Sequence, residues 1–269
     1  MPTGTRSAAD DLRPIAEAYR WQRRLGHEAV ALDHCGIVAD PARPDLWDAN
    51  HVDDVTADDD TAIDAVLAAM DAHLGHSDWR VVHTDAFTPE RFLARLACLG
   101  FAERPLVVQM VCDRLAPVRE AGIEIVEVRD TREWDVLAEL VAADVIEGKR
   151  TGGLDLDLDF VRDMVANYRL KQPYYTFHLA VRDGHALGYG AMAIAPNRIG
   201  MIEDLFTLPS ARRQGIASTL IARFDRELRA AGCHRVFLGA VAEEEAKTLY
   251  CKLGFRPAML TRCWVKQVG

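Results

Sequence analysis

Along the first hundred residues, apolar positions switch between helical spacing and short continuous runs, and each switch marks an element. Leu12, Ile15, Ala16 and Tyr19 fall near one face of a helix over residues 10–25. Apolar runs at 29–32 and 36–39 predict short strands ahead of a proline-rich stretch at 40–46. A strand at 50–55 then leads through the acidic turn Asp58-Asp59-Asp60 into an alanine- and leucine-rich helix at 61–74. Residues 79–83 predict a strand, Thr88 the cap of a helix ending near Leu99, and 101–112 a closing strand pair. A link at 113–122, with Pro117 and Gly122, separates this mixed segment from a second one.

The second segment opens with a strand at 123–128 and a helix at 131–146, whose Trp134, Leu137, Leu140 and Val141 recur at helical spacing. The stretch 148–153 breaks that helix, and 158–170 resumes one. Three strands follow at 176–181, 186–195 and 201–208, with turns at Asp183-Gly184 and Pro196-Asn197. A helix at 214–231, a strand at 235–240, a helix at 243–253 and a strand at 259–265 complete the pattern. The chain thus reads as α/β (α+β) in two domains, residues 1–115 and 122–269.

Laid side by side, the two segments look like a tandem duplication. Cys98-Leu99-Gly100-Phe101 matches Lys252-Leu253-Gly254-Phe255, a helix that ends on a glycine suited to a left-handed cap before a strand. Upstream, Asp53-Asp54-Val55-Thr56 can be set against Glu203-Asp204-Leu205-Phe206, again a strand end before a turn and a long helix.

Composition narrows the function. With 49% hydrophobic and 27% charged residues among 269, the chain suits a globular protein and not a disordered or fibrous one. A formal net charge of −9 argues against general attraction to nucleic acid or to anionic membranes. No apolar run approaches the roughly 18 residues a membrane span needs, and the opening residues lack the apolar core of a secretory signal, so a cytoplasmic protein is expected. Cys35, Cys98, Cys112, Cys233, Cys251 and Cys263 form no CxxC pair; they read as buried thiols, with neither disulfides nor a metal.

The stretch richest in chemistry follows the strand at 201–208. Pro209 stops the strand, and Arg212-Arg213-Gln214-Gly215-Ile216-Ala217-Ser218 opens a helix. A helix N-terminus offers amides without intrahelical partners and partial positive charge, a glycine allows close backbone approach, and arginines add full charges. Those are the parts of a diphosphate site. The nucleotide-binding GxxxxGK[ST] and the dinucleotide-binding GxGxxG are both absent.

Arg212-Arg213-Gln214-Gly215-Ile216-Ala217 resembles the R/Q-x-x-G-x-G/A loop of the GNAT superfamily of acyl-CoA-dependent N-acyltransferases. Downstream, Ala246-Lys247-Thr248-Leu249-Tyr250-Cys251-Lys252-Leu253-Gly254-Phe255 resembles the superfamily's A-x-x-L-Y-x-x-L-G-F helix and turn. The resemblance covers residues from about 122 to 269 and implies two GNAT-like domains, each a mixed, mostly antiparallel sheet flanked by helices, the first truncated and without a cofactor loop.

It also implies transfer of an acyl group, by default from acetyl-CoA or from another acyl-CoA, to the primary amine of a small molecule. An amine with a pKa near 10 is almost wholly protonated at neutral pH and cannot attack, so the site must deprotonate it. Glu203, alternating along its strand with Leu205 and Thr207 while Asp204 points to the other face, is the candidate base, acting through a water. Tyr250 is the candidate acid for the leaving thiolate. Leu205, Phe206 and Thr207 would pair with the pantetheine arm, and Arg212, Arg213, Gln214, Gly215, Ile216, Ala217 and Ser218 would hold the phosphates. Many relatives have an Asn three positions before the motif's Ala; this chain has Glu243 there.

In the first copy, Thr56-Ala57-Asp58-Asp59-Asp60-Thr61 replaces the arginine loop, and its carboxylates would repel a diphosphate. Leu96 stands where the second copy has Tyr250. The first copy also lacks the opening strand-helix-helix section, and its expected role is structural. Trp47, Asp48, Asn50 and His51 read first as a loop packed by a tryptophan and second as an acceptor contact. His73 and His76 have helical spacing without a third metal ligand, and the acidic run 53–60 reads as solvated surface. A non-catalytic acyl-CoA-binding or partner-binding protein remains the alternative. Oligomeric state stays open between monomer and homodimer.

Overall fold

The structure, a computed structural model, describes residues 8–150 and 158–268, which fall into two units. The first holds residues up to Gln109 together with 240–244 and 257–269; the second holds 110–239 and 245–256. The final strand, expected in the second domain, therefore belongs with the first unit.

In the first unit, α1 (Ala8–Arg24) precedes β1 (Ala29–Ala31), β2 (Gly36–Val38) and β3 (His51–Asp53), followed by α2 (Asp60–His73), β4 (Trp79–Thr84), α3 (Glu90–Cys98), β5 (Ala102–Glu103) and the start of β6 (Val107–Cys112), whose residues from Met110 belong to the second unit. β1, β2 and β3 pair antiparallel, and β3 then runs parallel to β4 across the α2 connection. On the far side of β4 lies β12 (Arg256–Gln267), antiparallel, with Cys263 opposite His83. One face of this sheet is apolar. Ile37, Val52 and Val82 pack there under Ile63, Val66 and Met70 of α2 and Phe92 and Leu96 of α3.

In the second unit, β7 (Glu124–Glu127), α4 (Thr131–Arg150) and α5 (Leu158–Leu170) lead into β8 (Tyr175–Arg182), β9 (His185–Ile194) and β10 (Ile199–Thr207), then α6 (Ile216–Ala230), β11 (Arg235–Val241) and α7 (Ala246–Lys252). β7 through β10 form an antiparallel meander, and β10 runs parallel to β11 across α6. Trp134 of α4 and Tyr168 of α5 stack on Phe177 of β8. On the opposite face, Phe224 of α6 lies against His178, and Leu228 fills the space over Gly200.

Each unit thus contains helix, two antiparallel strand pairings, a parallel crossover and a short helix, in that order, so the tandem repeat read from the sequence stands. The cap geometry matches atom for atom: Phe101 N donates to Leu96 O at 3.1 Å and Phe255 N to Tyr250 O at 3.0 Å. Gly100 and Gly254 between them carry φ of 80° and 96°, a region glycine enters without steric cost. Among the described residues the first copy has no counterparts of β7 and α4, but α1 precedes its sheet as α5 precedes the second, so one helix of the section expected to be absent is present.

Two local expectations are corrected. α4 continues through Gly148 to Arg150, because one glycine weakens a helix by only about 1 kcal/mol; residues 151–153 of the expected break lie outside the described residues. Thr88 is not the cap of α3. Its hydroxyl accepts from Asp85 N, and Pro89 holds the cap position.

Candidate active site

The site begins with an irregularity in β10. Its ladder with β9 pairs Glu203 with Ala191 and then Phe206 with Tyr189, so Asp204 and Leu205 together oppose Gly190. That extra residue is a β-bulge. Asp204 carries it with φ 52°, a conformation that Asp tolerates better than most residues. Two glycines in β9 make room: a Cβ on Gly188 would sit 2.3 Å from Phe206 O, and one on Gly190 would sit 2.8 Å from a Leu205 methyl.

The bulge overturns the expected alternation. Residues directly opposite in a ladder share a face, so Glu203 joins Ala191 and Phe177, on the side of α4 and α5. Asp204 turns the same way, and its Oδ1 accepts from the Tyr168 hydroxyl of α5 at 3.0 Å. Leu205 instead faces Gly190 and Phe224, on the α6 side. Glu203 is half-buried. The two carboxylates share one face and Leu205 takes the other.

The ladder between β10 and β11 runs from Ile199 opposite Arg235 to Ile202 opposite Leu238 and stops there, just where the bulge begins. Leu205 and Thr207 are half-buried beyond that point, and Phe206 is buried.

Pro209 starts a short 3₁₀ turn, and Gly215 caps α6 with φ 81° and no side-chain capping bond. Arg213 also takes a left-handed φ of 65°. Ile216, Ala217 and Ser218 form the first turn of α6, Ile216 buried and the other two half-buried. Thr219 anchors this corner: its hydroxyl donates to Gly215 O at 2.9 Å and accepts from Ala121 N at 2.8 Å. Arg212, Arg213 and Gln214 are exposed. Arg212 Nε donates to Thr207 O at 3.1 Å and its Nη1 lies 3.2 Å from Glu147 of α4, while Gln214 Oε1 accepts from Arg182 at 2.7 Å.

Tyr250 lies on α7 in the same unit, 7% exposed, its ring centroid 6.3 Å from that of Phe255. The turn after it is held close: a Cβ on Gly254 would meet Arg114 O at 3.0 Å, and Ala116 N donates to Leu253 O. Glu243 is exposed in the turn ahead of α7.

Residues 134–255 match a family described as the acetyltransferase (GNAT) family. That stretch of the chain is similar to GNAT domains. No curated protein sequence matches the chain. Among solved structures, a GCN5-related N-acetyltransferase from Kribbella flavida superposes with a TM-score of 0.68 at 17% identity, covering 95% of each chain. A conserved protein of unknown function from Staphylococcus epidermidis does so with 0.68 at 16%, covering 90% of this chain and 94% of its own. A tandem GNAT protein from the clavulanic acid biosynthesis pathway gives 0.57 at 14%, covering 81% and 75%. At these identities the likeness is one of fold, and it extends over both GNAT-like halves.

The first half keeps the GNAT frame and changes its chemistry. At the position matching Gly215, Asp59 caps α2, its side chain accepting from Ala62 N at 2.9 Å, so a carboxylate occupies the helix end. Asp60 pairs with Arg91 at 2.8 Å. Asp53, opposite Glu203 in the repeat, is not solvated surface as expected: it is 2% exposed and gripped by Arg24 through Nε at 2.9 Å and through Nη2. Burial alone would raise its pKa, but His51 and Arg24 outweigh that and hold it down to about 2. Leu96, matching Tyr250, is wholly buried in the apolar core.

Trp47 packs edge-on against Trp79 at 5.2 Å, and Asn50 donates to the carbonyls of Arg43 and Leu46 while accepting from Asp40 N and pairing with His76. This cluster follows the packed-loop reading. Among the described residues, no group of three or more His, Cys, Asp and Glu side chains could hold a metal ion, and no helix is long and apolar enough to cross a membrane. All six cysteines are free thiols, but Cys98 and Cys251 are exposed and Cys263 half-buried rather than buried.

Sequence reasoning missed the Tyr168 and Tyr189 hydroxyls, which donate to Asp204 and Asp144 at 3.0 Å each beside Glu203. Strand, bulge and two helices bring these residues together, and no local spacing encodes that. The glycine pair 188 and 190, two apart within one strand, was a readable sign of close backbone approach.

Proposed function

We propose that the second half is an N-acyltransferase that moves the acyl group of an acyl-CoA, by default acetyl-CoA, directly to the primary amine of a small molecule. The observation that carries this reading is the contrast between the two copies at one helix end: a glycine cap with no side chain to bond the first turn and two arginines before it in the second, a capping aspartate in the first. An uncapped helix end beside cations attracts a diphosphate, whereas Asp59 both fills and repels. Ala217 and Ser218 amides with Arg212 and Arg213 would take the phosphates. Leu205, Phe206 and Thr207, past the end of the β11 ladder, would pair with the pantetheine arm as an added strand.

In this reading, Glu203 accepts a proton from the acceptor ammonium through a water, and the amine nitrogen forms a bond to the acyl carbon. Glu203 releases that proton to solvent and takes the second nitrogen proton by the same water, the carbon–sulfur bond breaks, and Tyr250 gives its proton to the departing thiolate, to be reprotonated from solvent. With Glu203 on the α4 and α5 face, the acceptor would approach from that side of the sheet. The loop near residues 144–160 would help to choose the acceptor; its residues 151–157 lie outside the described residues. The chain would act in the cytoplasm as a monomer or homodimer.

The test is a screen that follows acetyl-CoA consumption over amines, alcohols and peptides. Turnover with small primary amines supports the reading. Acyl-CoA binding without turnover of any acceptor favours a binding protein, and turnover confined to alcohols or peptide lysines contradicts the acceptor class.

A further inference from the structure

We propose that Tyr168 is a positioning residue: its hydroxyl, given to Asp204, pins the β10 bulge to α5 and so sets the aim of Glu203. This rests on Glu203 being the base. The bulge is a strained turn of chain, since Asp204 holds φ 52° where an L-residue pays about 1–2 kcal/mol. A backbone that is strained and adjacent to the reacting carboxylate needs a tether, and Tyr168 Oη supplies one at 3.0 Å.

The tether itself is rigid. The Tyr168 ring is 4% exposed and stacks on Phe177, with centroids 4.7 Å apart, on the strand next to β9. Burial, and then the Asp204 carboxylate, push its hydroxyl well above the ordinary tyrosine value, so it keeps its proton and remains a donor throughout the assay range. Tyr189 repeats the arrangement one strand away, donating to Asp144 of α4 while its ring packs at 5.9 Å from Phe206, on the far side of the bulge. The bulge residue Asp204 and the β9 residue facing Phe206 are thereby tied to α5 and α4.

The first copy supports the logic. Asp54 has the same backbone conformation, φ 51°, and is also tied to the preceding helix, but by Arg20 Nε at 3.3 Å. In both copies a side chain of that helix holds the left-handed aspartate that follows the carboxylate, though only the second copy has a bulge there. In the second copy the donor is a neutral hydroxyl, in the first a guanidinium.

Tyr168→Phe keeps the ring and removes the donor. The expected result is a kcat lowered roughly ten- to a hundredfold, as small misplacements of reacting groups cost, with KM for acetyl-CoA within about twofold. Asp204→Ala loses a similar factor, Asp204→Asn, which keeps an acceptor, recovers most of it, and the double variant Tyr168→Phe/Asp204→Ala loses no more than either single change. A melting shift beyond the few degrees that one hydrogen bond accounts for, with kcat and KM otherwise intact, overturns positioning in favour of a purely structural bond. So do additive losses in the double variant. Glu203→Gln measured alongside separates the two readings: its loss with unchanged turnover in Tyr168→Phe overturns the tether alone, whereas unchanged turnover in Glu203→Gln overturns the base and this inference with it.

Discussion

Asp54 and Asp204 share one backbone conformation, φ 51° and 52°, at matching points of two sheets, each immediately after a carboxylate at the end of the regular strand. The preceding carboxylates have opposite fates. Asp53 is clasped by Arg24 in the interior of the first unit, while Glu203 lies half-buried on the face of α4 and α5. The first copy has turned its carboxylate into a structural ion pair, whereas proton exchange is the role proposed for the carboxylate of the second.

The Arg24–Asp53 pair should therefore matter for stability and not for turnover. Arg24→Met leaves a carboxylate 2% exposed without its fork of donors, a change that costs on the order of 3–5 kcal/mol. Denaturant midpoints of the variant and of Arg24→Met/Asp53→Leu check this, the double change recovering much of the loss. Because Asp53 titrates at about 2 when folded and near 4 when unfolded, its contribution is whole above pH 4 and declines only as pH falls towards 2.

His83 gives the first unit a milder acid sensitivity. Burial, then Arg23 and His51, hold its imidazole well below the ordinary value, and among the described residues neither ring nitrogen has a hydrogen-bond partner. The unfolded chain then binds a proton below pH 6.5 that the folded chain refuses. Stability falls with pH from about 6.5 downward, by at most ~1.4 kcal/mol per unit for one such group. Denaturant midpoints at pH 7.5 and 5.5 should differ, and His83→Phe should narrow the gap.

Most of the architecture was readable because its signals are local. Helical spacing, the Gly-Phe caps and the arginine loop lie within ten or so residues of one another, and each element of the two copies falls within a few residues of its expected place. The bulge was not readable, since one inserted residue in β10 reverses which of Glu203, Leu205 and Thr207 share a face, and nothing within the strand announces it. The partners of Asp53 and Asp204 come from helices 29 and 36 residues away. The placement of β12 in the first unit depends on pairing with β4, more than 170 residues earlier, which no periodicity records.

If Tyr250 is the acid, its hydroxyl matters and its ring does not. Tyr250→Phe keeps the packing against Phe255 and should lower kcat by at least tenfold, as loss of one proton-transfer group costs about 10²–10⁴-fold. Coenzyme A affinity should stay within about twofold, and the loss should ease with thioesters of more acidic thiols.

Gly215→Ala asks whether the backbone at the helix end is the anion site. At φ 81° an added Cβ meets nothing closer than 3.7 Å, so the cost is conformational and not steric, about 1–2 kcal/mol. Relaxing that strain moves the first-turn amides, and affinity for coenzyme A should fall roughly tenfold, the equivalent of ~1.4 kcal/mol.

The most direct measurement is isothermal titration of the full chain with coenzyme A, repeated on Arg212→Ala/Arg213→Ala. Single-site binding should be found in the unchanged chain, weakened tenfold or more in the variant and falling as salt rises. Absence of heat with the unchanged chain, or equal affinity in the variant, would contradict a phosphate site at the start of α6.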